Sequence, residues 1–209
     1  MNWTLSERKD GSMKRKDNIE SFLVKEGIDP DSFVRGELVH GKEVTIIARS
    51  HAGKVIKGVD GLITADKSLA LGVTVADCLP IYIESKKARG ILHAGWRGIH
   101  RGIVEEVVGK LDELKVDVPS VFIGPSIKVC HFEVGEDLVE KFSGYPDCFD
   151  RREGKTFLDL QKVVEKKLKN NGIKNIRISE KCTFCSDALF SYRRDKKINN
   201  MLAVIKPTR

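Results

Sequence analysis

Short apolar runs, the longest near eight residues, alternate with polar turns along most of the chain. Ile19, Phe22, Leu23 and Ile28 share one helical face, which predicts a short helix from about Asp17, closed by Gly27 and stopped by Pro30. The stretch G-E-L-V-H-G-K-E-V-T-I-I-A then reads as a strand pair broken at His40-Gly41, with Val44 to Ala48 as its β-rich half. S-H-A-G-K-V-I-K-G is a turn into another short strand, and D-G-L-I-T a strand with glycine at its mouth. Ser68 to Ala76 is almost continuously apolar, the mark of a buried strand. Asp77-Cys78-Leu79-Pro80 breaks it. Ile81 to Glu84 and Gly90 to His93 form a hairpin around S-K-K-A-R.

Beyond A-G-W-R-G the period changes to that of a helix. Ile103, Val104, Val107, Val108, Leu111 and Leu114 make one apolar face, and Pro119 ends the segment. V-F-I-G-P-S-I is a strand feeding a turn, and a short helix is expected near Glu136 to Phe142. S-G-Y-P-D-C-F-D-R-R-E-G-K reads as a surface loop. Phe157, Leu160, Val164 and Leu168 mark a second amphipathic helix closed by Asn171-Gly172. Ile176 and Ile178 belong to a strand, and Met201 to Ile205 to the last one. Strands outnumber helices without strict βαβ alternation. The expected class is α+β: mixed β-sheets flanked by helices, in a single domain over residues 1–209.

Composition narrows this picture without changing it. Of 209 residues, 41% are hydrophobic, enough for a sizeable core. The net charge of +7 is compatible with an anionic partner, but the basic residues are scattered and do not alternate with aromatics. A nucleic-acid partner is therefore disfavoured. The start, M-N-W-T-L-S-E-R-K-D, has no apolar signal region, and no run approaches the length of a membrane span. A cytoplasmic protein is expected. Five cysteines are an odd number, so at least one thiol is free.

The chemistry concentrates between Thr74 and Arg97. Cys78 and His93 lie fifteen residues apart, each at the edge of a strand-like run. They can act as a nucleophile and its base, with Asp77 adjacent, or as two ligands of a metal ion. His40 stands at a similar glycine-flanked strand break, and His51 competes with it as a third ligand. Two imidazoles and a thiolate suit Zn2+ and leave its fourth position open, the arrangement of a catalytic zinc. H-A-G-W-R-G runs straight into a helix, where Gly95 and the Arg97 fork suit an anion. Ser126, in the turn G-P-S-I, is a second anion candidate. Cys182 and Cys185 form a lone C-x-x-C with no second pair and read as structural, Cys148 as incidental. Cys130, beside His131, either lines the cleft or packs.

V-A-D-C-L-P, H-A-G-W-R-G, G-P-S-I-x-x-C-x-F-E-V-G and F-S-Y-R-R-D occur here in one order. Together they resemble the YfiH-type family, also labelled laccase domain or polyphenol oxidase, over about Ser6 to Ile205. The resemblance implies a YfiH-like fold with its sheets packed as a sandwich. It implies His40, in Val39-His40-Gly41, as the third zinc ligand beside Cys78 and His93. It adds Arg8, from S-E-R-K-D-G-S-M, and Arg193, from F-S-Y-R-R-D, as substrate contacts. It implies a purine nucleoside and phosphate as substrates, with phosphorolysis of adenosine, inosine or methylthioadenosine and deamination of adenosine. Bacterial members are also linked to peptidoglycan editing. That link fits a second reading, a metal-independent cysteine hydrolase or amidase. Where the family carries Gly-Arg before its last strand, this chain has Asn199-Asn200. The oxidase label fails on arithmetic. A blue-copper centre and a three-copper cluster together need about ten histidines. The chain has five.

Overall fold

The computed structural model describes residues 1–117 and 119–208. Two mixed sheets face each other. The first, five-stranded, runs in the order Trp3–Leu5 (β1), Met201–Ile205 (β14), Ala70–Val75 (β6), Phe33–Glu37 (β2) and Val55–Lys57 (β4). The second, six-stranded, runs Asn175–Ile178 (β13), Ser120–Ile123 (β9), Leu79–Glu84 (β7), Arg89–Ala94 (β8), Gly61–Thr64 (β5) and Val44–Ile46 (β3). A three-stranded ribbon, Glu133–Val134 (β10), Lys155–Leu158 (β12) and Phe149–Arg152 (β11), stands apart from both. The helices are Lys16–Lys25 (α1), Trp96–Arg101 (α2), Ile103–Glu113 (α3), Glu136–Lys141 (α4), Leu160–Asn170 (α5) and Tyr192–Asp195 (α6). Among the described residues no helix is long and apolar enough to cross a membrane.

The strand period sorts side chains into layers. Along β14, Met201, Ala203 and Ile205 point into the space between the sheets, where they meet Val73, Val75, Tyr82 and Ile91. The alternate residues Leu202 and Val204 pack on Phe22 and Leu23 of α1. In β7, Ile81 and Ile83 turn the other way, onto Val104, Val107 and Leu111 of α3 and Val163, Val164 and Leu168 of α5. The order of layers is helix, sheet, sheet, helices, the expected α+β sandwich with flanking helices.

Three local expectations are corrected. The segment read as a surface loop contains a hairpin, with Arg152 opposite Lys155. Its two turn residues, Glu153 and Gly154, have φ of 51° and 70°. Both central residues at positive φ make a tight hairpin turn of the primed kind, which matches strand twist. Phe157 lies in β12, and the helix begins only at Leu160, capped by the Asp159 side chain accepting from the Lys162 N–H. Cys148 is 1% exposed, in the core beneath α5 rather than at the surface.

The N-terminal residues are also more ordered than their polarity indicates. β1 pairs antiparallel with β14, and Trp3 closes one end of the inter-sheet space against Tyr82 and Phe122 at 5.2 and 4.7 Å between ring centres.

Candidate functional site

His40 lies on the connection that carries the chain from β2 in one sheet to β3 in the other. Its φ is +54°, a left-handed backbone that non-glycine residues adopt only when surroundings impose it. The imposing group is Asp60, fully buried at the mouth of β5. Its Oδ1 accepts from the His40 N–H at 3.0 Å, and its Oδ2 from those of Val39 and Gly41 at 3.2 and 2.7 Å. The same carboxylate takes the Nδ1 proton of His93 at 2.8 Å. That hydrogen bond fixes the tautomer and frees Nε2 as a lone-pair donor.

β7 and β8 pair antiparallel with Pro80 opposite His93, so Cys78, just ahead of β7, sits beside the exit of β8. The ligand-capable atoms of His40, Cys78 and His93 lie within 4.8 Å of one another. The two imidazoles meet edge to face at 4.8 Å between centres. The donors are one sulfur and two nitrogens, the set that suits zinc, and among the described residues no fourth ligand joins this group.

The glycines of H-A-G-W-R-G follow from this crowding. A Cβ on Gly95 would lie 3.0 Å from Cys78 Sγ and 3.4 Å from His40 Nδ1. One on Gly98 would lie 2.6 Å from the Gly41 carbonyl oxygen. Only hydrogen at both positions lets α2 start against the donor group and the His40 loop.

Charge is unevenly held here. Burial pushes the Cys78 thiol up, but the His93 charge and hydrogen bonds from His40 and His93 outweigh it and bring it down to about 6. Burial pulls His93 down, and the Cys78 and Asp60 charges and hydrogen bonds overcome this, lifting it to about 9. Burial likewise raises Asp60, while His93 and the Gly41 N–H bring it below the usual carboxylate range. The centre is therefore built for an anionic sulfur.

The other sequence candidates are distributed around this centre. Asp77, at φ +80°, has both carboxylate oxygens occupied: Oδ1 accepts from Thr183 Oγ1 at 2.6 Å and Oδ2 from the Arg193 N–H at 2.7 Å. Its carbonyl accepts from the Ile127 N–H at 3.0 Å. Asp77 thus ties three chain segments behind Cys78. Arg97 is exposed and stacks on Trp96 at 4.4 Å. Arg193 donates to the Glu133 carbonyl at 2.9 Å and lies over Phe132. Among the described residues neither guanidinium has a carboxylate partner, whereas Arg8 is paired with Asp195 and rests on Phe190. Ser126 is fully buried, its Oγ accepting from Gln161 at 2.7 Å. His51 caps its own turn, accepting from the Ala48 N–H at 3.0 Å, and has no place in the donor group.

Two features were missed in the sequence. Asp60 was visible as the first residue of D-G-L-I-T, but only as a strand mouth. The second is a ligand group around Cys130, which lies 3.8 Å from Cys185 Sγ and 3.2 Å from His131 Nδ1. The C-x-x-C pair does not stand alone.

Comparison with known proteins shows what the whole chain is similar to. A family model described as multi-copper polyphenol oxidoreductase laccase matches residues 1–207. A purine nucleoside phosphorylase of Aquifex aeolicus is 38% identical over 185 residues, covering 84% of this chain and 88% of that protein. Purine nucleoside phosphorylase YlmD of Geobacillus stearothermophilus is 34% identical over 192 residues, covering 81% and 70%. The crystal structure of YlmD from that organism superposes with a TM-score of 0.86 at 29% identity, over 92% of this chain and 79% of that one. A Bacillus licheniformis structure described as hypothetical protein YfiH gives 0.85 at 27% identity, over 92% and 80%.

Proposed function

The chain belongs to the YfiH-type laccase-domain family, and from that premise we propose that it is a zinc-dependent purine nucleoside phosphorylase with adenosine deaminase activity. The observation that carries this reading is the convergence of His40, Cys78 and His93 on one centre, with no fourth protein ligand among the described residues. Relatives named purine nucleoside phosphorylase supply the substrate class. A zinc ion held by these three residues would act as a Lewis acid toward a substrate oxygen or water.

The chain's own residues have distinct parts. Asp60 orients His93 and holds the His40 loop. Asp77 positions the segments that carry Ser126 and Arg193. Arg97 and Arg193, neither neutralised by a carboxylate, are the groups to hold phosphate, with Arg8 and the Gly95 turn at the border. Phosphorolysis forms a bond from a phosphate oxygen to ribose C1′ and breaks the C1′–N9 bond. The purine leaves with that electron pair and takes up a proton. Deamination replaces the C6 amino group by a water oxygen and releases ammonia.

Incubation with adenosine, inosine or methylthioadenosine, with and without phosphate, separates these reactions by chromatography. Free base and the corresponding sugar 1-phosphate (ribose 1-phosphate from adenosine or inosine, methylthioribose 1-phosphate from methylthioadenosine) are expected only with phosphate; inosine from adenosine is expected in both arms. No phosphate-dependent base release from any of the three would end the phosphorylase reading.

Gly95→Ala is a milder test of the centre. The new Cβ pushes directly on Cys78 Sγ and His40 Nδ1. Zinc affinity is expected to fall by roughly 10–100-fold, the size of effect seen when ligand support is disturbed. Competition with a chromophoric chelator measures it.

The cysteine hydrolase reading keeps one observation in its favour, the closeness of Cys78 to two imidazoles. It requires activity that survives chelation and is blocked by iodoacetamide.

A further inference from the structure

Cys130 and His131 follow β9 on the turn that leads to β10, and Cys182 and Cys185 follow β13. β9 and β13 are parallel neighbours, so both turns leave the same end of the sheet. A bridge between Ser126 and Cys182, with the Thr183 N–H donating to the Ser126 carbonyl at 3.1 Å, prolongs that pairing into the turns. The fold thereby brings together Cys130 and Cys182, fifty-two positions apart.

The ligand atoms of Cys130, His131, Cys182 and Cys185 all lie within 4.8 Å of one another. Cys130 Sγ and Cys185 Sγ are 3.8 Å apart, and His131 Nδ1 lies 3.2 and 3.3 Å from them. A tetrahedral zinc with Zn–S near 2.3 Å and Zn–N near 2.0 Å has S···S edges of about 3.8 Å and S···N edges of about 3.5 Å. The His131 ring is held in this orientation by stacking on Phe184 at 4.0 Å, from within the C-x-x-C turn itself.

We propose that Cys130, His131, Cys182 and Cys185 form a second, structural zinc site, separate from the centre at His40, Cys78 and His93. All four positions of the metal are filled by protein, so the site is closed to water and substrate, as structural sites are. Three thiolates and a neutral imidazole leave net negative charge around the ion. Two guanidinium groups lie against the turns that carry the ligands, each also paired with a carboxylate, Arg152 with Asp150 and Arg194 with Asp195. Arg152 donates to the carbonyls of Val129 and Cys130 at 3.3 and 2.7 Å. Arg194 donates to those of Thr183, Phe184 and Ser186 at 3.1, 2.9 and 2.9 Å. A disulfide is the poorer account, because it would pair two of the three sulfurs and leave the third, with His131, unused.

The site's place in the fold gives it a purpose. The turns it joins are the two that Asp77 gathers behind Cys78, through Ile127 and Thr183. Zinc here would fasten together the turns that Asp77 holds behind Cys78, next to the segment that carries Arg193.

The test is metal counting by native mass spectrometry on the reduced full chain loaded with Zn2+. Wild type is expected to hold two zinc ions. Cys185→Ser removes one of them, and because Cys185 is exposed the core is undisturbed. Cys185→His, a replacement that can still ligate, keeps it. His40→Ala removes the other ion independently. If only one ion binds and its loss follows Cys185 and not His40, the second site stands and the catalytic reading falls. If zinc content is the same in wild type and Cys185→Ser, the proposal is overturned.

Discussion

Cys78→Ala is expected to leave a folded chain without zinc at the catalytic centre and with adenosine turnover lowered by well over ~100-fold. Loss of groups that merely support a ligand costs 10–100-fold, and Cys78 is itself a ligand on this reading. The Gly95 side of Cys78 is closed, since a Cβ there would lie 3.0 Å from its sulfur. Among the described residues no further ligand-capable side chain joins His40 and His93, so none is at hand to replace the thiolate. The alanine variant alone does not separate ligand from nucleophile, because both roles need the sulfur. Cys78→Asp does. A carboxylate binds zinc at about 2.0–2.2 Å and reaches as far as the thiolate, so metal is retained in part. A cysteine hydrolase loses everything in that variant and is indifferent to chelator in the wild type. Elemental analysis beside adenosine assays of the two variants decides it. Full zinc and full turnover in Cys78→Ala would sink the site assignment.

What could be read in the sequence tracks how local each determinant is. The hairpin of β7 and β8, and helices α1 and α3, are written in runs of a few residues with turn chemistry between them, and the structure has them where the pattern places them. The β11–β12 hairpin was missed because F-D-R-R has no apolar alternation and Glu153-Gly154 is not among the strongest turn signals. Phe157 fell at a helical spacing from Leu160 and Val164 by coincidence, and the Asp159 cap is what ends the strand. β1 is only three residues long and acquires its place from β14 at the far end of the chain.

The site follows the same rule. Cys78 and His93 stand out because a hairpin brings them together within one motif. The choice of His40 over His51 came from family likeness, and its physical basis is a contact with Asp60 twenty residues away. The Cys130–Cys185 group was illegible for a similar reason. C-x-x-C was visible, but the other two ligands arrive only through the parallel pairing of β9 with β13.

The other large effect is expected from Asp60→Asn, a change that preserves shape. Asp60 is fully buried and accepts four hydrogen bonds, from three backbone N–H groups and His93 Nδ1. Each carboxylate oxygen receives two of them. An amide has one oxygen, so whichever way the asparagine is turned its NH2 faces two donors. One pair of donors then loses its acceptor, and the carboxylate that balances His93 is gone. Breaking a buried charged pair by removing one partner costs about 3–5 kcal/mol. Part of that is expected to appear as a lower melting temperature and part as release of the His40 loop from its left-handed turn. Zinc affinity should fall as well, by roughly 10–100-fold, because His93 is no longer held with Nε2 toward the centre. Asp60→Ala should be no better, since it leaves all four donors unmet. Thermal melts with and without zinc, set beside a metal titration, give both quantities. If Asp60→Asn melts and binds zinc as wild type does, the carboxylate is not what organises this centre.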